Sequence, residues 1–559
     1  MAWQQGPFRF MTFKEWVPDK IRFWIYILFL IAFQFSNGMY FTAMSQMQGS
    51  LSITMDNVKM MSHGVLIGLT MYFPIAFRMK SRFPNKTNII IAASGLMICN
   101  LIVPHIDIPF LLVVIGFIAG FFRLYGTFEC FSNIIPKITP TYNYGIFLSF
   151  VFFVVLGVIH VFDAISIHLI YHYDWQHLHR LAIGLMLLVI MMAKIMMSDF
   201  RTMPLKPLYA MDWLGMILWS IFILSLIFVA QYAYQLEFLH SPYIRMAVGT
   251  ACITLAMNLI RMKKLRHPFI EFAAFKTKRV PQLLIAFLFL GILLASKNVL
   301  QNTFTNAVLH LDALNAGRLK WFEFIGALSG AVFSFYALII LKWKHKTVAS
   351  IGFTSVTTYV AMMYFLISPD TNIEKLYLPL IICNFGHLCI FIALTVFIQA
   401  TAPFRNYFQI LCVLGFIRTG IASPIGDCIY QHGINGLMGK HLSIIGSEVN
   451  ISLLDSMNRL DTIGVEAMSA TLTELYGYTF IFGLIVLMLI LILRKPAINK
   501  DNLCNLRNLW LEKLSRGTTP AESVDRDTEK LRHVFQFHSV KKSREMLHKT
   551  FVAFLWRKL

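Results

Sequence analysis

Residues 109–131 read PFLLVVIGFIAGFFRLYGTFECF, and this stretch decides the fold. The hydrocarbon core of a bilayer is ~30 Å thick, and a helix rising ~1.5 Å per residue needs about twenty apolar residues to cross it. The stretch is that long and apolar almost throughout, with a single arginine, Arg123, two-thirds of the way along. Thirteen further stretches of the same kind surround it, at 21–44, 58–78, 87–105, 146–170, 178–197, 211–231, 243–262, 280–300, 317–341, 347–367, 376–400, 406–430 and 473–494. Fourteen such stretches predict an all-α polytopic membrane protein.

Composition points the same way. The chain is 57% hydrophobic and 14% charged, with a mean hydropathy of +0.64. Soluble chains run near 25% charged, so a soluble globule is excluded. Residues 1–20 are mixed and basic, without the short apolar core and small-residue cleavage site of a secretory signal. The first span is expected to act as an uncleaved anchor. Of the eight cysteines, all but Cys504 fall inside expected spans and none forms a CxxC pair. They read as small apolar packing residues, with neither a disulfide framework nor a zinc site expected. No cofactor is expected.

Charge placement sets the expected orientation. The joint between spans two and three carries Arg78, Lys80, Arg82 and Lys86, and that between eight and nine carries Arg261, Lys263, Lys264, Arg266, Lys276, Lys278 and Arg279. With the amino terminus inside, roughly twenty Lys and Arg fall on the inner side against about half a dozen outside, the contrast of the positive-inside rule. Both termini are then cytoplasmic, in a cell (inner) membrane. The formal charge of +21 belongs to loops beside anionic lipid and not to a nucleic-acid site.

The loops leave no room for a soluble catalytic domain. Residues 1–20 form a cytoplasmic amino-terminal segment, 21–197 six spans, 198–262 a linker with two extra spans, and 263–494 six more. Residues 431–472 are expected as a polar external loop, and 495–559 as a basic cytoplasmic tail. Around 540–559 that tail is either a basic amphipathic helix on the membrane surface or a loosely ordered segment. Six, two and six spans suit a transporter built from two helix bundles with its substrate site at the midplane between them.

Several motifs carry a family resemblance. Arg418-Thr-Gly-Ile-Ala-Ser-Pro-Ile-Gly426, followed by Tyr430-Gln-His-Gly-Ile, forms a small-residue-rich span with a polar sequel. Asp312-Ala-Leu-Asn-Ala316-Gly317 opens span ten, Ala43-Met44-Ser45 follows span one, and Leu493-Arg494-Lys495-Pro496 closes the last span. Ser81-Arg82-Phe83-Pro84-Asn85-Lys86 stands between spans two and three, and Gly120-Phe-Phe-Arg123 lies in span four. On these residues the chain resembles the fourteen-span drug–proton antiporters of the major facilitator superfamily, the EmrB/QacA type. It departs from them in lacking the Gly-Pro-x-x-Gly-Gly motif of span five, in losing the Asp and Gly of the first loop motif, and in placing Ser36 where an acid is common. The resemblance implies proton-coupled efflux of lipophilic or amphipathic compounds by alternating access. In a double-membrane bacterium it also implies hand-over to a periplasmic adaptor and an outer-membrane channel, for which 431–472 is the candidate contact.

Charges at mid-membrane cost several kcal/mol on insertion scales and need a reason. Arg123, Arg418, His160 and Asp163 are the deepest such residues, the last two sharing one helical face three positions apart. The resemblance assigns Arg123 to proton transfer. Asp163 is its favoured carboxylate, because Glu129 lies on another face and nearer the inner interface. Either residue also reads as a structural bond between helices, and Arg418 as a contact for Asp427, for an anionic substrate group, or for packing. Lys59, Lys297 and Glu323 are expected at the outer ends of their spans, where long side chains snorkel, with a Lys297–Glu323 outer gate as a further reading. Arg82 and Lys86 are the candidate cytoplasmic gating loop. Phe33, Gln34 and Asn37 are candidate cavity residues in a chain with 50 Phe and 29 Met, an adaptable apolar lining.

Rival readings stay open at this point. His160, His168, His172, His177 and His179 suggest a membrane metalloenzyme, but one cluster on the outer side of fourteen spans fits interfacial histidines better. An importer or uncoupled facilitator of the same superfamily, and a scaffold that does not transport, are the others.

Overall fold

The computed structural model describes residues 12–42, 44–51, 53–139, 144–201, 205, 208, 211–233, 235–276, 279–402, 404–448 and 456–492. The tail 495–559, Cys504 and the side chains of Asn37, Met44 and Ser45 lie outside the described residues. Thirteen described helices are long and apolar enough to cross a membrane, and Asp19–Thr42 precedes them. In chain order they are α1 (Asp19–Thr42), α2 (Met55–Arg82), α3 (Asn85–His105), α4 (Pro109–Ile138), α5 (Gly145–His172), α6 (Gln176–Met196), α7 (Trp213–Tyr232) and α8 (Pro242–Lys264). Then follow α9 (Val280–Val308), α10 (Ala313–Ile340), α11 (His345–Leu366), α12 (Ile373–Thr401), α13 (Asn406–Ile445) and α14 (Thr462–Leu491). Each expected span corresponds to one helix.

Helix starts follow local chemistry. Pro109 and Pro242 occupy first-turn positions, where the missing N–H is no loss. Asp212 caps α7 by accepting from the Gly215 N–H at 2.8 Å. Helix ends are less regular. α5, α9 and α13 contain wide π-helical turns at Phe153–Gly157, Lys297–Gln301 with Phe304–Val308, and Phe416–Ala422. The last directly precedes Pro424, which has no N–H for the Gly420 carbonyl. Such turns are rare and concentrate at functional positions.

Close crossings hold the helices together. Lipid tails are as apolar as leucine, so helices in a bilayer associate by backbone approach at small residues. Gly64 and Gly68 of α2 face Val113 and Phe117 of α4, and Gly116 and Gly120 of α4 face Met61 and Val65 of α2: a Cβ at Gly68 would fall 1.9 Å from the Phe117 carbonyl oxygen, and one at Gly120 1.9 Å from that of Val65. α10 and α12 cross in the same way, with Cβ positions at Gly326 and Gly330 falling 2.4 and 2.6 Å from the Ile381 and Phe385 carbonyl oxygens. α1 packs on α4, α5 and α6, while α9 packs on α13 and α14. α5 meets α10 and α12, α2 meets α13, and α7 lies against both α2 and α13, with α8 beside it. The arrangement is two six-helix bundles, α1–α6 and α9–α14, with α7 and α8 as an inserted pair.

Two expectations need correction. The stretch 431–472 is not an open loop: α13 runs on to Glu448 as a helix, and the last helix begins at Ser456. Hydropathy marks where a helix leaves the apolar layer, not where its hydrogen bonding stops. His441 and Lys440 reach Glu474 at 2.9 and 3.5 Å and tie the two extensions together. Nor do Lys297 and Glu323 sit at helix ends. α9 continues eight residues past 300 to Val308 and α10 starts at Ala313, so both residues lie well inside their helices. Lys59, 39% exposed beside Asp56, keeps its terminal position.

Candidate transport site

α5, α9, α10 and α12 converge on a buried carboxylate. The Glu323 side chain is 1% exposed and is met by Lys297 Nζ at 2.8 Å, His160 Nδ1 at 2.9 Å and Lys320 Nζ at 3.3 Å. Lys297 Nζ also donates to Asn384 Oδ1 at 3.2 Å. One helical turn from His160, Asp163 stands within electrostatic range of Lys320. His160 and Asp163 come from the amino-terminal bundle, and the other residues from the carboxy-terminal one. The cluster therefore crosses the line along which the bundles meet. A buried carboxylate held by three nitrogen groups is worth keeping only in that arrangement, since removing a partner strands charge in a medium of low dielectric constant.

Arg418 lies beside this cluster in the π turn of α13. Its guanidinium sits over the Phe391 ring, 4.6 Å from the centroid. His387, one turn before Phe391, lies within electrostatic range of Arg418, Lys297 and His160. Asp427 does not approach Arg418; it lies in electrostatic range of Lys59 instead.

A second polar seam runs between α1 and α4. Arg123, 3% exposed, donates from Nη2 to Gln34 Oε1, and Gln34 Nε2 donates to Thr127 Oγ1 at 3.1 Å. Phe33 is fully buried with its ring against Gly126. Ser36 meets Asn100 Nδ2 at 3.5 Å, and Asn100 Oδ1 lies 3.0 Å from His179 Nδ1. Thus polar groups replace the acid expected in α1.

At the end of the molecule where α2 joins α3, Lys80 is buried. Its ammonium donates to Glu129 Oε1 at 3.1 Å, Ser132 Oγ at 2.6 Å and Asn133 Oδ1 at 3.0 Å. Asn88 Nδ2 reaches Glu129 Oε2 at 3.3 Å, and Tyr125 donates to Asn88 Oδ1 at 2.6 Å. Close by, Phe77 of α2, Phe128 of α4 and Phe408 of α13 form an edge-to-face cluster, with Phe77 and Phe408 centroids 4.7 Å apart. These rings close that end across the bundle line.

The structure brings His160 and Asp163 together with Lys297, Lys320 and Glu323, and sets Arg418 alongside. Arg123 shares its seam with Gln34. Glu129 takes Lys80 as its cation, Arg82 is exposed, and Lys86 reaches Asp199 at 3.4 Å. Sequence reasoning missed Lys80, Lys320, Asn384 and His387 as site residues. Lys80 had a signal: Asn85 and Asn88 recur at i, i+3 on one helix, and Glu129 and Asn133 at i, i+4 on another. Among the described residues no group of three His, Cys, Asp or Glu side chains forms a metal-binding cluster.

No family model matches this sequence, and no curated protein does. Solved structures match it in fold. An auto-inhibited POT family peptide transporter shares 14% identity over 86% of this chain and 98% of its own, with a TM-score of 0.54. The nucleoside transporter NupG shares 13% over 83% and 98%, with a TM-score of 0.51. Tetrameric PepTSo2 shares 12% over 88% and 99%, with a TM-score of 0.53. The fold is that of the major facilitator transporters.

Proposed function

We propose that this chain is a proton-coupled secondary transporter that works by alternating access. One observation carries the reading: Glu323 is buried between Lys297, Lys320 and His160, with nitrogen groups from both bundles on a single carboxylate. Separating the bundles removes His160 from Glu323, and a proton is a ligand able to take the place of that lost partner. Proton uptake and bundle movement are thereby linked through one residue. Asp163 and Arg123 serve as accessory groups on the amino-terminal side, and the Phe77–Phe128–Phe408 cluster serves as the gate at the cytoplasmic end. Both termini are cytoplasmic, in the cell membrane, and the bundles correspond to 21–197 and 263–494.

Export of lipophilic or amphipathic compounds follows from the EmrB/QacA resemblance, with an adaptor and an outer-membrane channel as partners. Uptake or facilitated movement of a polar solute is the second reading. It is favoured by the concentration of charged groups around Glu323, which an apolar cargo would leave unused. Dye and solute flux should be followed in cells and proteoliposomes with and without a collapsed proton gradient. Gradient-dependent flux in the wild type, lost in Glu323→Gln, is expected. Flux indifferent to the gradient identifies a facilitator, and absence of flux overturns the transporter reading.

A further inference from the structure

We propose that Arg418 and His387 form the recognition site for an organic anion with an aromatic or other apolar body, which is the cargo of the transport pathway. This rests on the transporter reading above and assigns its substrate class. The centre holds two carboxylates, Glu323 and Asp163, and three basic side chains, Lys297, Lys320 and Arg418. Glu323 is fully engaged by Lys297, Lys320 and His160, and Asp163 faces Lys320. Arg418 is the cation left over: among the described residues no carboxylate lies within ion-pair distance of it, and its recorded contact is the Phe391 ring.

A guanidinium deep in a membrane protein is expensive unless an anion or dipole meets it. The chain supplies a ring face instead, which leaves the planar fork of N–H donors available for a carboxylate or similar group. His387 adds a second polar group, its buried Nε2 having no hydrogen-bond partner and donating in the tautomer that carries the proton there. The surroundings fit the rest of the ligand. Phe391 packs against Phe152 at 4.8 Å and Phe287 at 5.1 Å between centroids, so α5 and α9 fix the ring that lies under the guanidinium. Phe152 belongs to the amino-terminal bundle and Phe287 to the other. The ring under Arg418 is thus held from both bundles, where an alternating-access transporter must hold its cargo.

The test uses the full chain, purified in detergent for binding and in proteoliposomes for flux, with one aromatic scaffold in three charge states: naphthaleneacetate, naphthaleneacetamide and naphthylmethylammonium. Binding is read as a thermal shift and as tryptophan fluorescence. The expected result is at least tenfold tighter binding of the acetate than of the amide, and no measurable binding of the ammonium compound. Arg418→Gln abolishes that preference, and Arg418→Lys retains part of it. Equal or weaker binding of the acetate, including no binding at all, overturns the proposal, as does an acetate preference that survives Arg418→Gln. If Arg418→Gln is not isolated folded, the wild-type charge series and His387→Gln, expected to weaken acetate alone, decide the matter. The two readings fail separately. Binding of the acetate without flux refutes transport and keeps the anion site, whereas flux confined to the neutral or cationic compound refutes the anion site and keeps transport.

Discussion

Lys80 shows what a single residue can hide. It occupies the last turn of α2, where a lysine read from hydropathy belongs to a solvated basic loop. Its side chain is nevertheless 2% exposed and that of Glu129 1%. Breaking a buried pair from one side costs about 3–5 kcal/mol, while replacing both members with apolar groups costs far less. Lys80→Met and Glu129→Leu are each expected to lower the melting temperature of the detergent-solubilised protein. The double variant should recover much of the loss, and strictly additive losses would show the pair to be uncoupled. The pairing was not legible because a sequence reports a charge and its distance from an apolar stretch, not the polar groups another helix brings to it. Glu323 makes the same point more strongly. Its partners sit on three helices, and its depth depended on where α9 and α10 end. Arg123 was legible as a buried arginine, but its partner Gln34 was read separately, as a cavity residue.

Among the elements, the helices themselves were the most legible feature, because apolar length alone marks a membrane crossing. Their contacts were less so. Gly64, Gly68, Gly116 and Gly120 were present in the sequence as small residues four apart, yet nothing in one chain says which backbone each glycine faces. The crossing requires the absence of a side chain: a Cβ at Gly120 would fall 1.9 Å from the Val65 carbonyl oxygen. Overpacking costs about 1–3 kcal/mol where atoms can shift, and backbone against backbone leaves little room for that. Gly120→Leu and Gly326→Leu are therefore expected to reduce folded yield and thermal stability. Gly184 of α6 has nothing within 4 Å of its Cβ position, and Gly184→Ala should lose no stability. Equal sensitivity at Gly184 and Gly120 would show that helix propensity, not close approach, governs these sites.

For the whole molecule, the glycine crossings expose a repeat that amino-acid identity conceals. α2 with α4 and α10 with α12 occupy equivalent places in the two halves and pack by the same device, though their sequences share little else. In the proposed alternating-access cycle the two halves open and close the ends in turn, and the Phe77–Phe408 contact is the proposed closure at one of them. Cysteines at those two positions, in a background without native cysteines, are expected to cross-link under oxidising conditions and to stop flux, with reductant restoring it. Undiminished flux in the fully cross-linked protein would remove the rings from the gating cycle. The organisation into halves was legible from the count of six, two and six. The inserted pair was legible too, but the lodging of α7 against both α2 and α13 was not.

The π turns in α9 and α13 have a consequence for how such motion is delivered. A π turn stores one residue more than the helical register needs, and that surplus can pass along a helix without breaking it. Each step turns the residue it passes by about 100°, the angle one residue subtends on an α-helix. Lys297 opens one such turn and Arg418 sits inside another. The two cations at the centre of the molecule are thus mounted on slack, and a small redistribution of winding re-aims them while both ends of the helix stay in place.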